Sequence, residues 1–248
     1  MKGFQAFQVV QDFERALCEY VGAPFCVTTT SCTMALLLAV KWHLRHGAAC
    51  TVCGLRASEV REAGKWECAR TQCGWQTMTT AVSIPKRTYV GVPMSIIHAG
   101  GRPTFRDEQW SGAYRLNPLP IWDSARRFRL GMYQWSVVWD EARTQAPSLD
   151  GEMVCVSFHW SKVLGIQQGG AIFHADPEAD RWLRKARFDG RTEGVPVMDD
   201  TFDVLGFHAY MSPEIAAEGL VRLSLLKGDE PDLPWDQYPD LSMLQIFK

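Results

Sequence analysis

Four times along this chain a short β-branched or apolar run ends in a cluster of side chains able to do chemistry. The runs are 25–29 (FCVTT), 81–84 (AVSI), 119–123 (LPIWD) and 153–158 (MVCVSF), and helical stretches lie between them. Brief apolar runs bounded by polar turns read as buried strands, and strands alternating with helices argue for a mainly parallel sheet sandwiched by helices. Sheets of that kind bind ligands beyond the carboxyl ends of their strands. The full order expected begins with a helix carrying Phe7, Val10, Phe13, Leu17 and Tyr20 at helical spacing. It continues with strand 25–29, helix 33–46, strand 81–84, helix 89–99, strand 103–106, strands 119–123, 153–158 and 170–174, and helices 177–187 and 212–227. Residues 189–201 and 228–240 are rich in Gly, Asp and Pro and read as loops.

The residues at the strand ends differ in kind. After 153–158 comes His159-Trp160-Ser161-Lys162, followed by the pair Gly169-Gly170. A lysine just past a buried strand and among aromatics is where desolvation can lower an ammonium pKa and leave a nucleophilic amine; an ordinary solvated lysine is the plainer alternative. PIWDSARRF (120–128) puts the Asp123 carboxylate at a strand end, with the small Ala125 two positions on. FCVTTTSCTMALLLAV (25–40) breaks from a strand into hydroxyls and then an apolar helix. The amides at that helix start, with Ser31 and Thr33, form a ready anion site, or Ser31 and Thr33 serve only as helix caps. Tyr89 opens helix 89–99. A phosphate cradle, an aromatic plate, a carboxylate and a lysine, each at a strand end, are together what pyridoxal phosphate needs.

In this order the chain resembles the DegT/StrS-type sugar aminotransferases, members of the fold type I pyridoxal-phosphate enzymes. The resemblance runs through FERALCEYVGAPFCVTTTSCTMAL, IPKRTYVGV, DSARRF, SFHWSK, QQGGAIF, RKARFDG and LGFHAYMSPEIAAEGLVRL. It implies the large domain of that fold, with Lys162 holding the cofactor as an internal aldimine and shuttling protons. Asp123 would pair with the pyridine nitrogen, Tyr89 would stack on the ring, and Ala125 would leave room on the other face. Ser31, Cys32 and Thr33 would bind the phosphate, with Ser157 adding a donor. Arg126 stands where the family has Gln or His near the phenolic oxygen. His208 stands where an Asn of a neighbouring subunit reaches the phosphate, and Cys32 replaces a glycine of the phosphate turn. The resemblance further implies a homodimer, a small-molecule amino donor such as glutamate or glutamine, and a keto-sugar or similar carbonyl acceptor, nucleotide-linked in the family's manner. The family continues into a smaller domain beyond the helix at 212–227, so a large domain without a C-terminal small domain is expected here.

A second signal is independent of the first. Cys50 and Cys53 form a C-x-x-C, and Cys68 and Cys73 a C-x4-C, each followed by glycine. Two such thiolate pairs suit a tetrahedral structural zinc site, with a redox dithiol or a disulfide framework as alternatives. The domain reading is therefore 1–47 and 79–227 for the cofactor-binding domain, 48–78 for a zinc-knuckle insertion, and 228–248 for a C-terminal tail. Net charge is -2, which argues against a polyanionic partner such as nucleic acid. The longest apolar stretch is too short to cross a bilayer, and the N-terminus lacks a signal-peptide core, so a cytoplasmic protein without a membrane partner is expected. Two other functions stay open: a dehydratase-like reaction at the same cofactor, and a non-catalytic homologue whose zinc knuckle binds a partner. Retention of Lys162 favours transamination over dehydration.

Overall fold

The computed structural model describes residues 7–45, 49–50, 57–59, 66–68, 78–133, 152–234 and 237–248. Helix α1 (Gln8–Val21) stops at Gly22, whose φ of 79° suits the left-handed cap that glycine adopts without strain. Strand β1 (Phe25–Thr29) leads through Ser31 into α2 (Cys32–Leu44). Ten of the thirteen α2 residues are buried, as befits a helix apolar on every side. The strands β2 (Ala49–Cys50), β3 (Ala57–Glu59), β4 (Trp66–Cys68) and β5 (Met78–Thr79) form two small antiparallel pairs, β2 with β5 and β3 with β4. Then follow β6 (Ala81–Pro85), α3 (Gly91–His98), β7 (Arg102–Arg106), β8 (Tyr114–Arg115), β9 (Ile121–Asp123), β10 (Met153–Ser157) and β11 (Gly170–His174). Helix α4 (Pro177–Arg187) starts under an Asp176 cap with Pro at its first position, and α5 is Pro213–Leu223.

The central sheet has the order β1-β11-β10-β9-β8. It is mixed, which corrects the mainly parallel sheet expected from sequence. Strand β11 runs antiparallel to both β1 and β10, β8 is antiparallel to β9, and β10 is parallel to β9. The parallel pair β6–β7 continues this surface through a bridge between Ser83 and Asn117. The physical reason lies in the connections. Residues 158–169 between β10 and β11 hold no helix, and a parallel return needs a crossover that is usually helical.

The helices cover both faces, as expected. Along β10, Met153 and Cys155 join one core with α2, α3 and α4, while Val154 and Val156 join another with α1 and α5. Since β1, β9 and β10 all point the same way, Thr29, Asp123 and Ser157 emerge at one edge of the sheet. Gly170 lies opposite both Thr29 and Ser157 there.

Candidate active site

At that edge lies a cavity of about 350 Å³. Ser31, Cys32, Thr33, Tyr89, Asp123, Ala125, Arg126, Ser157 and Lys162 all line it. These are all the residues that the sequence pointed to as cofactor contacts except His208. His208 is exposed, with Nδ1 2.8 Å from Asp189 Oδ2 and its ring 4.7 Å from that of Tyr210; it does not line the cavity of its own chain.

The anion turn is shaped by local capping. Ser31 Oγ accepts from Met34 N at 3.2 Å, so the cap reading holds, and Thr29 Oγ1 donates to Ser31 O at 2.9 Å. The amides of Cys32 and Thr33, the first two of α2, have no backbone acceptor among the described residues, which is the usual state of helix-start N–H groups. Two glycines let other elements close on this turn. A Cβ on Gly170 would lie 2.5 Å from Cys32 N, and one on Gly91 would lie 2.9 Å from Thr33 Oγ1 and 2.8 Å from the Tyr89 ring. Only glycine tolerates approaches this close. Ser95 Oγ donates to both Thr33 O (2.9 Å) and Gly91 O (2.8 Å), tying α3 to the turn.

Asp123 is 4% exposed, and both of its oxygens are satisfied. Tyr114 Oη donates to Oδ2 at 2.6 Å and Ala125 N to Oδ1 at 3.0 Å. With its own proton committed, Tyr114 Oη accepts from Thr88 Oγ1 at 2.6 Å. Burial pushes the Asp123 pKa above the ordinary carboxylate value, against the pull of Tyr114, Ala125, Lys162 and Arg126. Burial likewise lifts the Tyr114 phenol well above its usual value, and the Asp123 charge adds to this.

Lys162 lies in the turn after β10, where its N–H donates to His159 O at 2.7 Å. Nζ donates no hydrogen bond among the described residues. Burial, and then the Arg126 charge, hold its ammonium pKa below the normal lysine value, opposed by Asp123 and Cys32. The desolvation expected from sequence is present, but its source is not Phe158 or Trp160. Of the adjacent aromatics, Phe158 sits in the core, Trp160 is 70% exposed, and only His159 lines the cavity with Lys162.

Several lining residues were not read from the sequence: Thr88, Gln168 and Tyr238, with Tyr114 behind Asp123; Trp110 also lines the cavity, one of the tryptophans whose sequence position near the cofactor-facing segments left core packing and ligand stacking both open. Thr88 pairs with Tyr114 and Tyr238 with Arg126, both remote in sequence. Tyr238 belongs to the segment read as a tail. Its hydroxyl accepts from Arg126 Nε (3.2 Å) and Nη2 (2.9 Å), and its ring lies 16° from the plane of Trp110 with centroids 6.5 Å apart.

The zinc knuckle was expected at Cys50, Cys53, Cys68 and Cys73. Cys53 and Cys73 lie outside the described residues, and Cys50 and Cys68 are described only as backbone, in β2 and β4. No group of three or more His, Cys, Asp or Glu among the described residues could hold a metal ion. No helix among them is long and apolar enough to cross a membrane.

The residues present fit pyridoxal phosphate in kind: an unpaired desolvated amine, a buried carboxylate, an aromatic ring, and a turn of amides and hydroxyls. The architecture matches that of known aminotransferases. The chain is similar to the sugar aminotransferase CalS13 from Micromonospora echinospora, at 18% identity and a TM-score of 0.57, over 88% of this chain and 61% of that one. It is similar to AtS13 from Actinomadura melliaura at 18% identity and a TM-score of 0.59, over 88% and 60% of the two chains. For a DegT DnrJ EryC1 StrS aminotransferase from Brucella abortus the values are 18%, 0.54, 88% and 58%. This chain thus spans about 60% of the length of these proteins, and at such identities the likeness defines the fold. The sequence profile of the DegT/DnrJ/EryC1/StrS aminotransferase family matches residues 3–52 and 146–229, more than half of the chain. The chain belongs to that family. The matched stretches hold the 31–33 turn, Ser157, Lys162 and Gly169-Gly170, while Tyr89 and Asp123 fall between them. No curated protein matches the chain by sequence.

Proposed function

We propose that this chain binds pyridoxal phosphate in the 350 Å³ cavity and transfers an amino group from an amino-acid donor to a keto-sugar or similar carbonyl compound. The observation that carries the reading is the convergence of Lys162, Asp123 and the 31–33 turn on one cavity at the carboxyl edge of the sheet. The bound cofactor supplies an electron sink for negative charge at the donor's α-carbon.

The residues divide the remaining work. The amides of Cys32 and Thr33, with the Thr33 and Ser157 hydroxyls, bind the phosphate dianion at the start of α2. Asp123, kept in place by Tyr114 and Ala125, holds a proton at the ring nitrogen. Tyr89 and Ala125 both line the cavity, where Tyr89 would stack on the ring and Ala125 would leave room for it. Lys162 Nζ, whose ammonium is disfavoured by burial and which has no hydrogen-bond acceptor among the described residues, is the amine placed for attack and for carrying a proton to and from carbon. A homodimer, with His208 reaching a neighbour's phosphate, belongs to the same proposal, since His208 is exposed and away from its own cavity.

The test is an absorption titration of the purified protein with pyridoxal phosphate. A visible band that borohydride bleaches is expected for the original chain and its absence for Lys162→Ala. A band of equal strength in both would refute the role of Lys162. No band in either would leave the non-catalytic reading. Spectral change with glutamate separates transamination from a dehydratase-like use of the cofactor.

The zinc knuckle is part of the proposal. Strand β2, which carries Cys50, packs against β4, which carries Cys68, and this supports bringing the two cysteine pairs to one ion. Metal analysis is expected to find one zinc per chain, lost in Cys50→Ser together with Cys68→Ser. Metal-free protein with four titratable thiols in 48–78 would count against it.

A further inference from the structure

Arg126 differs from its neighbours in what it pairs with. Arg127 and Arg129 both meet Asp232, at 2.6 Å and 2.7 Å. No Asp or Glu among the described residues comes within ion-pair distance of Arg126, although it lines the cavity beside Lys162. Two of its five N–H groups go to the Tyr238 hydroxyl. Nη1 has no partner among the described residues.

Tyr238 is itself held firmly. Its carbonyl accepts from Arg87 Nη1 at 3.2 Å, and its ring stacks on Trp110. On one side of it, Leu233 N donates to Arg126 O at 2.9 Å; on the other, Leu241 N donates to Lys86 O at 2.8 Å and the Leu241 side chain is fully buried. The segment therefore spans two of the strand-end stretches that build the site, 123–129 and 85–89. It fixes a guanidinium at the cavity wall with one edge uncommitted.

A cation without a close carboxylate partner among the described residues, in a concave, partly desolvated site, suits an oxygen anion, and a planar guanidinium suits a carboxylate best. The Arg126 charge also acts against the Lys162 ammonium, opposed by Asp123, so an anion bound at Arg126 would add to that opposition. We propose that Arg126, oriented by Tyr238, anchors the carboxylate of the amino-acid donor, with Tyr238 as its positioning residue. This rests on the function proposed above and names the chemistry by which the donor is recognised. The cofactor's own phenolic oxygen offers the same anionic chemistry, so the test must separate the two sources.

The experiment uses cofactor-loaded protein and three variants, Arg126→Gln, Arg126→Lys and Tyr238→Phe. Each is titrated with pyridoxal phosphate, then reacted in a spectral half-reaction with L-glutamate or with propylamine, which has no carboxylate. Binding of glutarate, which cannot react, is followed by calorimetry. Arg126→Gln is expected to raise the half-saturating glutamate concentration at least about tenfold, with the limiting rate much less affected, as loss of a charged hydrogen bond implies. Arg126→Lys and Tyr238→Phe should fall between, glutarate binding should weaken in the same order, and in each variant the loss with glutamate should exceed the loss with propylamine. Unchanged glutamate saturation in Arg126→Gln would overturn the proposal. So would equal losses for glutamate and propylamine, or a change confined to cofactor affinity, which would assign Arg126 to the phenolic oxygen. Loss of the borohydride-sensitive band in the original chain would instead defeat the function beneath it.

Discussion

Glu14→Ala is expected to cost about 3–5 kcal/mol of folding stability, because it would leave a buried guanidinium without its main partner. Glu14 is 4% exposed on α1, and Arg187, at the end of α4, is 2% exposed. Arg187 Nη1 donates to Glu14 Oε1, Arg184 Nη1 to Oε2 at 2.8 Å, and Thr28 N and Oγ1 to Oε1 at 2.9 and 2.8 Å. One carboxylate thus ties α1 and α4 to β1, the strand that leads into the 31–33 turn. Burial alone would raise its pKa, but the Arg187 and Arg184 charges overcome this and hold it at about 2, against an ordinary 4.5.

The sign follows from linkage. A carboxyl with a depressed folded pKa adds stability above its unfolded pKa and loses it as pH falls through the folded value. The Glu14 contribution, roughly 3 kcal/mol, is therefore present above pH 4.5 and fades toward about 2. His174 adds acid sensitivity at a higher pH. Burial holds its pKa at about 4, below the usual 6.5, so it folds neutral and its contribution is lost as pH falls from 6.5 through 4. Urea unfolding of the original chain and of Glu14→Ala at pH 7, 5 and 3 reads both effects. The two proteins should converge as pH drops. A difference below about 1 kcal/mol at pH 7 would place Glu14 among ordinary surface ion pairs.

Asp123→Asn is expected to slow the amino-donor half-reaction about a thousandfold, the scale for losing a preorganised charge at a reacting centre. The neutral amide cannot hold a proton on the ring nitrogen, and no other carboxylate among the described residues lines the cavity. Tyr114→Phe should cost far less, about tenfold, since it removes one hydrogen bond to the charge and leaves the charge itself. It should also raise the Asp123 pKa further, because Tyr114 works against burial there. Single-turnover kinetics with glutamate, followed by absorbance, read the order of the three proteins. Asp123→Asn within tenfold of the original chain, or slower turnover in Tyr114→Phe than in Asp123→Asn, would remove Asp123 from its role.

Much of this was legible in the sequence, for identifiable reasons. Strands 25–29 and 170–174 and helix 177–187 match the observed bounds of β1, β11 and α4. Each is a dense apolar run or a capped amphipathic stretch with clear punctuation. The shared position of Lys162, Asp123 and Ser31–Thr33 at the strand ends was legible because each stands at or just after the end of such a run. Strand direction was not legible from apolar runs, which look alike whichever way a strand points. The helix-free stretch before Gly170 was the available clue. Tyr114 escaped because β8 has two residues and no periodicity. Tyr238 escaped because its Pro- and Asp-rich surroundings read as loop, although Asp232, Leu241 and Tyr238 itself tie that stretch to Arg127, Lys86 and Arg126. Side-chain partners more than a hundred positions apart leave no local trace.

The most direct test of the central claim is chemical. Protein incubated with pyridoxal phosphate is reduced with borohydride, digested, and mapped by mass spectrometry. The account requires the reduced cofactor on the peptide containing Lys162 and on no other in stoichiometric amount. Its appearance on Lys41, Lys86 or another surface amine, or on no peptide at all, would contradict it.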